Sequence, residues 1–517
     1  MKRIIALILC AGLVLTLFAG CAEENTVYVP TGNALVMDDG STIATAPQTG
    51  TEDKDTTVTL TYYPDRSLNP ILCTDLTNRT LFSLLYQGLF SVDRDYNVEP
   101  VLCKNYTVSK DMRTYTFYLE YATFSDGSMV TAADVVATLH AAKESAYYGG
   151  RFFYFNTISA TADGAVMITL NTAYENLPIL LDIPILKAEE VAAEQPLGTG
   201  PYALQVGRSG LQMRRRTDWW CQAELVVKAD YITLLEAESP AGIRDDFQFS
   251  GLDLVCTNPG TDSYADYRCD YELWDCESGN FVYLAVNMKS ELFSINEVRA
   301  ALPYAVDRDA LASDHYRGFG QSASLPASPD SPYYSQTLAA KYSYDPVKFV
   351  TALESAGKKG STVVLLVNSD DSLRLRVAKD VKAMLEECGL VVTLSALSTS
   401  SYKQALQKRK YDLVLGQTKL SANMDLTAFF YTWGNLSSGA LDDSTLYALC
   451  RDALANSGNY YNLHKTVMND GRLCPILFFN YAVYATRGLE SSLTPARDNV
   501  FYYSLGKTME EALLETE

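Results

Sequence analysis

The sequence predicts an α/β protein of more than one domain, and three observations carry that expectation. The chain has 517 residues, too many for one hydrophobic core and suited to two or three. Between Thr362 and Leu415 runs of strand and helix character alternate: strand Thr362–Val367, helix Ser372–Glu387 closed by Gly389, strand Leu390–Leu397, helix Tyr402–Arg409, strand Tyr411–Leu415. Such a βαβαβ pattern implies parallel pairing. Finally, in the stretch Gly279–Leu311, Phe281–Val286 is rich in β-branched and aromatic residues and reads as a buried strand. Ser294 with Glu297 forms a capping box there, ahead of Val298, Ala301, Leu302, Ala305 and Val306 at helical spacing, which predicts a helix from about Ser294.

In chain order, Met1–Cys21 opens with Lys2 and Arg3, continues through an apolar run from Ile4 to Phe18 and ends in Ala19-Gly20-Cys21. The run is short for a membrane span and reads as a secretory signal. Cys21 resembles the cysteine of a lipobox, with Phe18 where leucine is usual, which implies a diacylglycerol anchor on its sulfur. Residues 22–55 lack periodicity and read as a flexible tether. Val58–Tyr62 is an expected strand, Ser67–Pro70 a turn, and Asn78–Gln87 a helix with Leu81, Leu84 and Leu85 inward and Gly88 as its cap. Tyr115–Leu119 alternates as a strand. Phe124–Gly127 is a turn, and Thr131 caps an amphipathic helix to Ala142 with Asp134 at the third position. Asp126 and Asp134 are better explained by turn and cap than as a catalytic carboxylate pair. Pro196–Tyr202 reads as a tight turn, since Pro201 removes an amide that a phosphate cradle would use. Leu252–Cys256 is a further strand.

Composition narrows the function. Lysine plus arginine number 42 against 62 aspartates and glutamates, a net charge of -20, which argues against nucleic acid as a partner. An acidic surface serves solubility, and cationic ligands are the alternative it leaves open. Of 11 cysteines, Cys10 and Cys21 fall in the leader, so an odd nine remain. Cys269 and Cys276 are the one close pair, a weak disulfide candidate; free buried thiols are the other reading. The histidines His140, His315 and His464 are far apart and show no zinc spacing.

The motifs Ser67-Leu68-Asn69-Pro70, the block from Phe124-Ser125-Asp126-Gly127 to Val135, Pro196-Leu197-Gly198-Thr199-Gly200-Pro201-Tyr202, and Asn287-Met288 with Phe293, Val298, Arg299 and Leu302 resemble the signature of bacterial extracellular solute-binding proteins of the oligopeptide, dipeptide and nickel class. The resemblance implies a two-lobed fold of the periplasmic-binding-protein type II kind, with an extra subdomain in the first lobe and the ligand cleft between lobes. Its expected divisions are residues 56–91, 174–278 and 485–517 for the lobe I core, 92–173 for the subdomain and 279–484 for lobe II. It further implies capture of a peptide-like or other small polar solute without chemistry or cofactor, ABC-importer permease subunits as partners, a monomer, and a lipid anchor on the extracytoplasmic face of the membrane. Asn69, Tyr202 and Asn287, within the matching motifs, are candidate ligand contacts. Tyr411–Leu415 followed by Asp425–Phe429 resembles the peptide-binding branch, where an aspartate at the position of Asp425 pairs with the peptide's ammonium group; the tryptophan and proline usual there are absent. The plain alternative is that Asp425 caps a helix beginning at Leu426.

Two other classes have partial support in the sequence. Ser400-Ser401-Tyr402-Lys403 fits the S-x-x-K of penicillin-binding acyltransferases and Ser421-Ala422-Asn423 resembles S-x-N, but no K-T-G accompanies them. The 35 tyrosines suit a surface adhesin as well as a ligand cleft.

Overall fold

The computed structural model describes residues 58–515, apart from residues 209, 222, 226, 260–266, 268, 438–439 and 490–492. The expected signal, tether and lipid site at Cys21 therefore lie outside the described residues. One sheet opens with β1 (Val58–Tyr62), which runs parallel to β10 (Tyr231–Glu236) and continues through β9 (Gly210–Arg215) to β8 (Tyr202–Gly207). A second takes four strands from the expected subdomain and its edge strand from the C-terminal stretch, in the order β18 (Leu513–Glu515), β4 (Cys103–Val108), β5 (Thr114–Leu119), β7 (Val166–Leu170), β6 (Phe155–Ala160). Beside it β2 (Phe90–Val92) and β3 (Val98–Pro100) form a hairpin, and the helix Ala132–Glu144 carries the expected Thr131–Asp134 capping box.

The largest sheet has the order β11 (Leu254–Thr257), β17 (Leu473–Ala485), β12 (Glu272–Val286), β16 (Leu413–Lys419), β14 (Thr362–Asn368), β15 (Val391–Leu397), with β13 (Gly320–Ser322) also against β17. The parallel unit expected from the βαβαβ pattern is present, because β14 pairs parallel with both β15 and β16. Side chains alternate across β12 as a two-residue period requires. Val282, Leu284 and Val286 enter one core with Leu311, Phe349, Val377 and Leu385 from the overlying helices. Phe281, Tyr283 and Ala285 face the other core, where Phe281 stacks on Phe478 with ring centroids 4.8 Å apart. Fully burying each such side chain contributes about 1.5–3 kcal/mol. The helix Ser372–Glu387 shows how sequence alone sets an element: Asp371 caps its start by accepting from the Arg374 amide at 2.8 Å, and Leu373, Val377, Val381 and Leu385 recur every fourth residue on its buried face.

Three expectations need correction. The strand at Phe281–Val286 is longer, beginning at Glu272, because Asp275 and Glu277 are held by Arg94 and Arg497 and the Ser278 hydroxyl donates to the Phe479 carbonyl, so these polar side chains sit buried within it. The capping box at Ser294 does not form; the Ser294 hydroxyl donates to the Glu291 carbonyl and the helix starts at Asn296. The helix expected over Asn78–Gln87 is two short ones, Leu76–Thr80 and Phe82–Leu85. It stops at Leu85 because the Gly200 amide donates to the Leu85 carbonyl at 2.9 Å, and a Cβ at Gly198 or Gly200 would overlap the Leu85 backbone.

Candidate functional site

Residues from four separated stretches enclose a cavity of about 110 Å³, with a further, more open margin. That is room for on the order of ten water-sized atoms. Its walls come from the helices Leu76–Thr80 and Phe82–Leu85, the 147–151 segment, Asp182 and Pro184, and the 497–503 segment. Phe82, Tyr86, Tyr147, Tyr148 and Tyr503 give it aromatic faces.

Three arginines line this cavity. Arg79 donates to the carbonyls of Pro70 (3.2 Å) and Cys73 (3.0 Å) and to the Tyr148 hydroxyl (3.0 Å), and its guanidinium lies 3.3 Å from the centre of the Tyr147 ring. Among the described residues Arg79 makes no ion pair. Arg151 pairs with Asp182 and donates to the Leu180 carbonyl at 3.0 Å. Arg497 pairs with Glu277 at 3.3 Å and donates to the Leu420 carbonyl. Behind Tyr147, Lys419 donates to its hydroxyl at 2.7 Å and pairs with Asp498. Burial works against the charge of Asp498, yet Lys419 and Arg497 together hold its carboxyl below the usual range. Burial also pushes Glu277 up to about 7, so this carboxylate is only partly charged at neutral pH. Arg79, Arg151, Arg497 and Lys419 thus meet Asp182, Asp498 and Glu277, four basic groups against three acidic ones: the cavity is locally cationic in an acidic chain. A solute carboxylate can take the donors that Arg79 leaves unpaired with acid.

A second polar cluster adjoins the same segment. Tyr154, three residues after Arg151, shares a 2.7 Å hydrogen bond with Thr427, whose hydroxyl donates to Asp425 Oδ1 at 2.6 Å. The Thr427 amide donates to the same oxygen at 2.9 Å, so Asp425 does make a cap-like bond for the helix Thr427–Phe430. Nearby, Asn423 donates to the Tyr174 hydroxyl at 2.6 Å, and Tyr460 donates to the Asn423 carbonyl. Although the Asp425 residue keeps some open surface, protein surrounds its carboxyl, and that burial raises it above the usual range against the pull of the Thr427 bonds. Among the described residues Asp425 has no cationic partner. A desolvated carboxylate without a counter-ion is a natural receptor for an ammonium group.

The other expected contacts are put to structural use. Asn69 is fully buried; its amide donates to the carbonyls of Val191 and Ala193, and its oxygen accepts from the Ile71 amide. The Tyr202 hydroxyl lies 3.0 and 2.8 Å from the carbonyls of Val227 and Ala229. Asn287 donates to the carbonyls of Arg409 and Tyr411. None of the three lines this cavity; Asn287 lines a separate depression with Asp412 and Tyr411. Arg79, Arg151, Arg497, Tyr147 and Lys419 were not singled out from the sequence; the signal available was arginine set among aromatics, as in Tyr147-Tyr148-Gly149-Gly150-Arg151-Phe152. Ser400 and Lys403 are exposed on the helix Thr399–Gln407, with no hydrogen bond between them among the described residues. Cys269 and Cys276 are free thiols. Among the described residues, no three His, Cys, Asp or Glu side chains gather as a metal site. No described helix is long and apolar enough to cross a membrane.

A model of the bacterial extracellular solute-binding proteins, family 5 (middle region), matches residues 97–440, well over half of the chain. The chain belongs to this family. This solute-binding protein is similar to the glutathione-binding protein GsiB of Escherichia coli (strain K12), with 26% identity over 393 residues that cover 73% of this chain and 74% of that one. Its fold is similar to that of the ABC transporter substrate-binding protein CtaP of Listeria monocytogenes (TM-score 0.72, 18% identity, 88% and 99% of the two chains). It is also similar to the oligopeptide-binding protein AppA of Bacillus subtilis in complex with a nonapeptide (TM-score 0.61, 20% identity, 87% and 99%). The α/β fold of this solute-binding protein is thus of the two-lobed type II kind, as its motifs implied.

Proposed function

We propose that this solute-binding protein captures a small peptide-like solute outside the cytoplasm and delivers it to an ABC-importer permease. Arg79 and Arg151 take the solute's carboxylate, Asp425 takes its ammonium group, and no bond is made or broken. The observation that carries this reading is the excess of cations around an aromatic-walled cavity in a chain of net charge -20. The similar proteins named for glutathione and for a nonapeptide complex support a peptide-like solute. Closure follows from the paths of β12 and β17, the two long strands that run between the expected lobes, about which one body rotates with few dihedral changes. Lys419 pairing with Asp498 and Tyr154 bonding Thr427 are the contacts such closure makes. The protein acts as a monomer held at the outer face of the membrane by a lipid on Cys21.

Calorimetric titration with trialanine, its carboxyl-amidated form and its amino-acetylated form tests the assignment. A charge-assisted hydrogen bond contributes about 1.5–3 kcal/mol, so amidation, or Arg79→Met with the free peptide, should each weaken binding roughly 10- to 100-fold. Equal affinity for the free and amidated peptides would remove the carboxylate from the reading. The same comparison with the acetylated form checks the ammonium.

A further inference from the structure

We propose that Glu277 couples solute capture to the uptake of one proton, because Arg497 is both a wall of the solute cavity and the cation that balances this buried carboxylate. The inference rests on the cavity being the solute site, as argued above. Glu277 sits in β12 where its pairing with β17 is interrupted between Cys276 and Asn280, and it is almost fully buried. Its Oε1 receives the Tyr96 hydroxyl and, at 3.3 Å, Arg497 Nη1, whereas Oε2 is buried with no hydrogen-bond partner. Arg497 cannot easily move to compensate, since its other terminal nitrogen donates to the Leu420 carbonyl and its guanidinium lies over Gly279, where the chain takes φ +65°.

The charges around Glu277 come from four directions. Tyr96 and Arg94 belong to the β2–β3 turn, and Arg94 is committed to Asp275 at 2.7 Å. Asp330 adds negative potential, as does Asp498, which Lys419 balances. Arg94 also feels the charge of Glu277, but Arg497, bonded to it, is the main cation that keeps Glu277 charged, together with the Tyr96 hydroxyl, against a burial that pushes it up to about 7. When a solute carboxylate held at Arg79 and Arg151 enters the cavity that Arg497 also lines, its charge competes with Glu277 for that guanidinium, and the weaker acid takes a proton from solvent, at the partnerless Oε2. The balance is protein plus solute anion plus one proton giving the protonated complex. Binding is then insensitive to pH well below 7 and weakens by up to tenfold per pH unit above it.

Calorimetry with trialanine at about pH 7.5, in two buffers of low and high ionisation enthalpy, counts the protons taken up; affinities from about pH 6 to 8.5 give the slope. The peptide's own ammonium titrates alike with every variant, so the difference between wild type and Glu277→Gln isolates this residue. Wild type should take up a substantial fraction of a proton more than Glu277→Gln. Tyr96→Phe, which removes a hydrogen bond that favours the charged form, should shift the onset of weakening to higher pH, and it decides the matter if Glu277→Gln does not fold. Equal proton uptake in wild type and Glu277→Gln, or an unmoved onset in Tyr96→Phe, overturns the linkage while leaving the site intact. Absence of trialanine binding by wild type overturns the site reading and the linkage with it.

Discussion

Lowering the pH from 7 to 5 should destabilise the wild-type protein by about 2 kcal/mol more than the variant His464→Phe, and the structure supplies the number. His464 lies on the helix Tyr460–Asp470, fully buried against Tyr460 and Val467, and neither ring nitrogen has a hydrogen-bond partner. Burial alone pushes its folded-state pKa down to about 3 from an ordinary 6.5. The folded protein thus keeps the ring neutral while the unfolded chain takes a proton below about 6.5, so stability is present above that pH and is lost progressively as the pH falls toward 3. At 1.36 kcal/mol per unit of pKa difference, the loss attributable to His464 is about 2 kcal/mol at pH 5 and about 3 kcal/mol at pH 4. Against a typical total of about 5–15 kcal/mol this is a large fraction. Urea unfolding of both proteins, followed by tryptophan fluorescence in pH steps, measures it. Any constant packing cost of phenylalanine cancels, because only the change in the difference with pH is read. A difference between the two proteins that stays flat within about 0.5 kcal/mol from pH 7 to 5 would refute the reasoning: a buried water or a rearranged partner would then be satisfying the imidazole.

The remaining predictions concern the hinge, the anchor and the membrane. Gly279→Ala should lower stability by about 1–3 kcal/mol, because Cβ at φ +65° is strained and would collide with the Arg497 guanidinium; melting curves and trialanine affinity, which falls with the displaced Arg497, check both parts. Asp425→Asn should cost about 2–5 kcal/mol of binding to an ammonium-bearing peptide with little change in melting temperature. A lowered melting temperature with affinity retained would leave Asp425 as a helix cap for Thr427. Labelling of cells with a fatty-acid analogue should mark the wild-type chain and leave Cys21→Ser unmarked, and equal labelling of the two would exclude the lipid anchor.

Local signals in the chain were enough for much of the architecture. The strand Val58–Tyr62, the helix Ser372–Glu387 with its Gly389 exit, the Thr131–Asp134 box and the parallel unit of β14, β15 and β16 all depend on periodicity, caps and turn residues within a few positions of one another, which is information a sequence carries directly. The motifs also marked the family, since Pro196–Tyr202 and the residues around Asn287 are turns and strand ends that the fold needs. Asn69, Tyr202 and Asn287 lie within those motifs, and their polar atoms bond nearby carbonyls and amides. The candidate cavity draws on other residues. Arg79, Arg151 and Arg497 are separated by tens to hundreds of positions, and each looks in isolation like an ordinary surface cation. Only packing the first helices, the 147–151 segment and the returning C-terminal chain around one cavity desolvates them together. The same packing separates Glu277 from water and sets Arg497 against it, and it extends β12 back through polar residues that no hydrophobic period announces. Local order follows from short-range preferences, whereas charge burial is a sum over every segment that crowds a side chain, and that sum exists only once the chain has folded.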